Sequence, residues 1–298
     1  MSSVVVLALP EARRYAENVA RVLSAELVEV ETKDFPDGES YVRIPVAVSG
    51  RKVVVVSSVY PLQDKKLMKT FLLVDAARDL GAERVVAVIP YFAYSRQDRR
   101  FRDGEPVSLK TVLSILSSLG VDAVVTVDVH KPAAFTHERM RCINVEPFGL
   151  YAEKIREVAG GESVVVLSPD FGSLWRAEKI ARELNVEFDY FEKYRDRVTG
   201  QITMKPRQVN VQGRTVVIVD DIIATGGTMR EAAKYVREMG AKRVLAVATH
   251  CLFLGDADAK LLQSGVERIL CSDTIETPYS EICTSTLVGE HLREILYR

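Results

Sequence analysis

VVIVDDIIATGGTM, residues 216–229, decides the fold. The unbroken apolar run at 216–219 reads as a strand buried on both faces, the mark of a parallel sheet. Two carboxylates, Asp220 and Asp221, stand at its C-terminal end, and a loop of small residues follows: Ala224, Thr225, Gly226, Gly227, Thr228. Met229, Ala232, Ala233, Val236 and Met239 then recur at helical spacing, so a helix begins where the loop ends. Strand, small-residue loop and helix N-terminus together make a phosphate cradle. Glycines let backbone N–H groups approach an anion, hydroxyls add donors, and the helix dipole favours negative charge. Carboxylates beside such a cradle suit sugar hydroxyls, or a metal ion shared with a second ligand.

Outward from this stretch, strands and helices alternate. Strands are expected over 4–9, 53–56, 85–89, 124–127, 164–167 and 244–248, with helices over 13–24, 65–80, 109–119, 150–159 and 174–184. Such alternation means an α/β protein with parallel sheets. The last stretch, 282–298, has helical spacing at Leu287, Leu292, Ile295 and Leu296.

The chain also repeats itself. Gly50-Arg51-Lys52 with the apolar run 53–56 aligns with Gly213-Arg214-Thr215 and 216–219, and Gly81-Ala82-Glu83-Arg84 aligns with Gly240-Ala241-Lys242-Arg243. A repeat this long implies two similarly folded domains. The copies differ at one informative place. Ser57 and Ser58 stand where the second copy has Asp220 and Asp221, and no small-residue loop follows. The first copy has lost the sugar-phosphate site. The expected division is 1–145, with 284–298 as its candidate completion, and 146–283.

Composition sets bounds. The chain has 298 residues, is 47% hydrophobic and 27% charged, and carries a net charge of −1. That is an ordinary globular composition with no basic field to recruit nucleic acid. No apolar run approaches the roughly 18 residues of a membrane span. Cys142, Cys251, Cys271 and Cys283 lack CxxC spacing, which reads against a zinc site or a disulfide framework and suits a reducing, cytoplasmic location.

The first copy offers other chemistry. Phe35-Pro36-Asp37-Gly38-Glu39 is a turn that exposes an aromatic face and two carboxylates, suited to a nucleobase or to no more than a hairpin. Arg96, Gln97 and Arg99 follow the strand 85–89 at the end where parallel sheets bind ligands, and arginines there suit phosphates. Asp128 and His130 close the strand 124–127 as metal-ligand candidates, while His137, His250 and His291 lack such company. In the second copy, Ser168-Pro169-Asp170-Phe171-Gly172-Ser173 is another anion-accepting turn with an acid attached, and Lys193 and Arg195 lie in a polar stretch suited to closing over a phosphate chain.

Together these motifs resemble the ribose-phosphate diphosphokinase family, in its archaeal branch, over nearly the whole chain. The resemblance implies two tandem type I phosphoribosyltransferase-like domains. It implies transfer of the β,γ-diphosphoryl group of ATP to the C1 hydroxyl of ribose 5-phosphate, with Mg²⁺ as cofactor and a homo-oligomer, dimer or higher, as the assembly. By matching motif, Phe35, Asp37, Gly38, Glu39, Arg96, Gln97 and Arg99 would bind ATP, and His130 and Asp170 would ligate Mg²⁺. Lys193 and Arg195 would act on the transition state. Asp220 and Asp221 would take ribose hydroxyls, and Ala224, Thr225, Gly226, Gly227 and Thr228 the 5-phosphate. The absence of a Gly-x-x-x-x-Gly-Lys loop agrees, because ATP must then be held some other way. The chain departs from the family pattern at Ser173, where a second glycine is usual, and in the loop after Arg100, which differs from the basic version of phosphate-activated, ADP-inhibited members. A phosphoribosyltransferase consuming phosphoribosyl diphosphate, and a non-catalytic regulatory relative, are the alternatives.

Overall fold

The computed structural model describes residues 3–195, 202–206 and 209–297. The chain forms two compact units, Met1–Glu146 with Thr284–Arg298, and Pro147–Cys283.

Unit one contains β1 (Val4–Ala8), α1 (Arg13–Leu23), β2 (Glu26–Glu29), β3 (Glu31–Asp34), β4 (Ser40–Arg43), β5 (Lys52–Val56), α2 (Gln63–Asp79), β6 (Arg84–Val88), α3 (Ser108–Ser118), β7 (Ala123–Val127) and β8 (Arg141–Val145). Its sheet runs β2-β1-β5-β6-β7-β8, parallel throughout, with β3 and β4 as a separate antiparallel hairpin. Unit two contains α4 (Phe148–Ala159), β9 (Val164–Ser168), α5 (Leu174–Leu184), β10 (Glu187–Arg195), β11 (Ile202–Pro206), β12 (Thr215–Ile223), α6 (Gly227–Glu238), β13 (Arg243–Cys251), α7 (Ala257–Gln263), β14 (Arg268–Ser272) and β15 (Ser280–Ile282). Its sheet runs β11-β10-β9-β12-β13-β14-β15, and only the β10–β11 pair is antiparallel. Apart from β11, the two sheets share one strand order. The valine-rich strands are buried on both faces, because helices cover each side.

The repeat persists to single hydrogen bonds. Gly50 N–H donates to Gly81 O at 2.8 Å, and Gly213 N–H to Gly240 O at 2.8 Å. Arg51 reaches Val4 O and Glu26, while Arg214 reaches Val164 O and Glu187. In both copies this arginine pins the N-terminal ends of three adjacent strands.

The last helix, α8 (Thr284–Tyr297), returns to unit one. Val288, Leu292, Ile295 and Leu296 join the core beside α1. Gly289 permits the contact, since a Cβ there would sit 2.7 Å from the Val22 side chain. Asn18 Nδ2 donates to Ser285 Oγ at 2.9 Å, and Lys52 Nζ to Leu296 O at 2.6 Å.

One expectation is overturned: Cys251 and Cys271 form a disulfide. Sequence spacing hides it, because adjacency comes from the sheet. β13 and β14 are parallel neighbours, and their C-terminal ends bring two buried cysteines to a Cα separation of 6.1 Å. Cys142 and Cys283 are not part of a disulfide.

Candidate functional site

β12 does not stop at the acids. It runs through Asp220 and Asp221 to Ile223, because β13 is equally long and keeps pairing, Ile222 with His250 and Ile223 with Cys251. The acids are thus held on rigid strand backbone rather than in a loop. Leu252 N–H and Leu254 N–H donate to Ile223 O and Ala224 O, which anchors the start of the loop. Gly226 sits at φ +67°, where an added Cβ would also meet Leu261 at 3.3 Å, so glycine is required twice over. Gly226 caps α6 without a side chain, and the first N–H to bond back is that of Arg230, to Gly226 O at 2.9 Å. The N–H groups of Gly227, Thr228 and Met229 therefore lie at the open helix end, with Thr225 and Thr228 exposed beside them.

The acid pair is not symmetric. Asp221 is buried, and its Oδ2 lies 3.6 Å from a guanidinium nitrogen of Arg176, which is 1% exposed and stacks over Trp175 at 4.4 Å. Asp220 Oδ1 accepts from Asp221 N–H at 2.9 Å and from Ser173 Oγ at 2.7 Å. Burial first, and the neighbouring Asp221 second, push the Asp220 carboxyl well above the usual range. No sequence motif singles out Arg176. Its signal is an arginine among Ser173, Ala177, Ile180 and Ala181, on the face of α5 that packs inward.

Asp170 lies at the C-terminal end of β9, exposed, and caps a short 3-10 turn by accepting from Ser173 N–H at 3.2 Å. Asp170, Ser173, Asp220 and Asp221 are thereby joined in one hydrogen-bonded group within unit two.

In unit one, Phe35, Asp37, Gly38 and Glu39 form the exposed tip of the β3–β4 hairpin. Phe35 N–H bonds to Glu39 O at 2.8 Å, Gly38 N–H to Phe35 O at 2.9 Å, and Glu39 N–H to Asp37 Oδ1 at 3.1 Å. The Phe35 ring packs edge-on against Tyr41, with Lys33 Nζ over it at 4.9 Å. Arg96 and Arg99 are exposed after β6, and Arg99 stacks on Phe101. Gln97 has a structural duty as well: its Oε1 accepts from Ser108 Oγ at 2.6 Å, which ties the segment to the start of α3. After β7, Asp128 is buried at φ +43° while His130 is half-buried, so of the two only His130 reaches the surface. His250 is buried against Thr274, in keeping with a structural histidine.

Lys193 and Arg195 belong to the backbone of β10, paired with Met204 and Ile202 of β11. Their side chains lie outside the described part of the chain. Among the described residues, no three His, Cys, Asp or Glu side chains gather as a ready-made metal cage. No helix among them is long and apolar enough to cross a membrane.

Parallel sheets of one strand order, with an acid pair and a small-residue loop at a helix N-terminus, define a phosphoribosyltransferase-type protein. Comparison with known proteins narrows the class. Residues 4–120 match the N-terminal domain of ribose phosphate pyrophosphokinase, and residues 149–281 match the phosphoribosyl transferase domain. The ribose-phosphate pyrophosphokinase of Saccharolobus solfataricus is 44% identical over 90% of this chain and 92% of its own. That of Methanopyrus kandleri is 41% identical over 98% and 99%. A solved phosphoribosylpyrophosphate synthetase from Mycobacterium smegmatis is 28% identical, covers 99% of each chain and superposes with a TM-score of 0.91. This chain belongs to the ribose-phosphate pyrophosphokinase family.

Proposed function

We propose that the chain makes 5-phosphoribosyl 1-diphosphate from ATP and ribose 5-phosphate, releasing AMP. The observation that carries the reading is the Asp220–Asp221 pair on rigid strand, beside the open N-terminus of α6. Acids that accept from ribose hydroxyls and N–H groups that take the 5-phosphate fit the two ends of one sugar phosphate. Unit one, which lacks the acid pair and the small-residue loop, supplies exposed Phe35, Arg96 and Arg99 for the nucleotide, with Asp37, Gly38, Glu39 and Gln97 shaping their surroundings.

In the reaction, the C1 hydroxyl oxygen attacks the β-phosphorus of ATP in line. The bond from that phosphorus to the α,β-bridging oxygen breaks, AMP leaves with the oxygen, and the hydroxyl proton is released, with Asp220 and Asp221 as candidate acceptors. Phosphoryl transfer needs positioning and charge neutralisation more than covalent help. Lys193 and Arg195 offset charge as it develops. His130 and Asp170 are the residues that would hold Mg²⁺. Both reach the surface, and Mg²⁺ commonly takes one or two protein ligands plus substrate phosphates, whose charge it offsets when bound. The protein acts as a homo-oligomer in the cytoplasm.

Incubation with ATP, Mg²⁺ and ribose 5-phosphate, followed by ³¹P NMR, tests the reading. Sugar-dependent AMP and a 1-diphosphate are expected. ADP in their place would mean an ordinary kinase, and no sugar-dependent turnover would favour a non-catalytic relative.

A further inference from the structure

Ser173 stands where the family pattern has a second glycine, and the backbone there does not require one. It sits at φ −98°, ψ 1°, which any residue adopts. Its side chain is buried, and its two polar groups are committed in two directions. The N–H donates to Asp170 Oδ1 at 3.2 Å, and the hydroxyl donates to Asp220 Oδ1 at 2.7 Å. A serine hydroxyl has one proton to give. Here it goes to the sugar-side acid, not outward to a diphosphate.

We propose that Ser173 is a positioning residue of the sugar site, whose hydroxyl orients Asp220 and ties it to the Asp170 turn. This rests on Asp220 as the acceptor of ribose hydroxyls. Two donors, Ser173 Oγ and Asp221 N–H, converge on Oδ1 and hold the carboxylate in place. The bond from a hydroxyl to a carboxylate is charge-assisted and so among the stronger hydrogen bonds. It also holds the Asp220 carboxyl down against burial and Asp221, which push it up. The other charged groups around it are Asp221 on its own strand, Arg176 from α5 paired with Asp221, and Asp170 reached through Ser173. In effect one side chain couples the acid at the end of β12 to the acid at the end of β9.

The test compares wild type with Ser173→Ala, Ser173→Gly and Ser173→Thr in the full chain. Ribose 5-phosphate and ATP binding are measured by calorimetry, and the Asp220 carboxyl carbon is followed by NMR against pH. Ser173→Ala and Ser173→Gly are each expected to weaken ribose 5-phosphate about tenfold while ATP changes less than about twofold. Both should move the Asp220 titration to higher pH, and Ser173→Thr, which keeps the hydroxyl, should restore both readouts. Wild-type affinity in Ser173→Gly would mean that space rather than the hydroxyl matters, and the proposal falls. Equal loss for ATP and sugar would assign the turn to the nucleotide and overturn it likewise. Should wild type bind no ribose 5-phosphate, the sugar-site reading fails by itself. The Asp220 titration then decides Ser173 alone, and an unmoved curve in Ser173→Ala sinks it.

Discussion

Units one and two have the same strand order, the same glycine-to-glycine hydrogen bonds and the same strand-pinning arginine, yet diverge where β5 and β12 end. In unit one, β5 stops at Val56, and the buried Ser57 hydroxyl bonds to Thr70 of α2 at 2.7 Å. The chain then turns through a cis Tyr60–Pro61 bond, and Lys66 Nζ donates to Tyr60 O at 3.0 Å. The Ser57 hydroxyl and the Lys66 ammonium both serve the fold here. In unit two, β12 carries two acids past the same point, one of them against a buried arginine, and a Thr-Gly-Gly-Thr loop follows. The helix starts themselves are alike, since neither α2 nor α6 has a side-chain cap. The same frame therefore works without the acids. The acids and the small-residue loop are what the second copy has and the first lacks.

The largest effect should come from Asp221. Asp221→Ala takes a carboxylate partner from a guanidinium that is 1% exposed, and removing one member of a buried pair costs about 3–5 kcal/mol. Its counterpart, Ser58→Ala, should change stability by less than about 0.5 kcal/mol. Urea unfolding of both variants checks this, and equal effects would erase the asymmetry between the copies. Next is Lys193→Ala, with a roughly hundredfold fall in kcat and little change in ribose 5-phosphate affinity, because the loss is confined to the transition state. Equal loss in kcat and affinity would remove that role. The disulfide comes third. Cys251 and Cys271 are 20 residues apart, and closing such a loop stabilises by about 3 kcal/mol. Reduction should quicken hydrogen exchange in β13 and β14 and leave their counterparts, β6 and β7, unchanged. Identical exchange in both pairs would show that the crosslink contributes nothing local.

What the sequence reveals follows from how local each signal is. The buried parallel strands and the helices between them are legible because continuous apolar runs and 3.6-residue spacing are local patterns. The repeat is legible because Gly50-Arg51 and Gly213-Arg214 recur with their strands. The polar strands near the sheet edges are not: β8 and β10 carry charged residues at exposed positions and pair because β7 and β9 are already in place, whereas β3 and β4 make a hairpin of their own. The disulfide and the Arg176–Asp221 pair are invisible for the same reason, since each joins residues that only the sheet brings together. Ser173 shows the limit most clearly. The sequence marks it as a departure from a glycine pattern, but only the distance to Asp220 says where its hydroxyl goes.

The smallest effect has an unusual sign. Asp220→Asn should abolish ribose 5-phosphate binding yet leave the protein more stable at neutral pH. Burial and Asp221 raise the Asp220 carboxyl above its ordinary value of 3.8, so the folded chain holds that proton more tightly than the unfolded chain does. As pH climbs past 3.8 the unfolded chain gives up the proton first, and the folded chain loses stability until its own carboxyl ionises. Asparagine removes that penalty and keeps an Oδ1 to accept from Ser173 and the Asp221 N–H. A gain of about 1 kcal/mol at pH 7 is expected, typical of a single relieved site. Ser57, the matching residue of unit one, is buried and neutral, and carries no such penalty. Unfolding measured from pH 4 to pH 8 should therefore show the variant and wild type diverging as pH rises. Parallel curves would mean that the acid at 220 costs the fold nothing, and that the serine of the first copy is no relief.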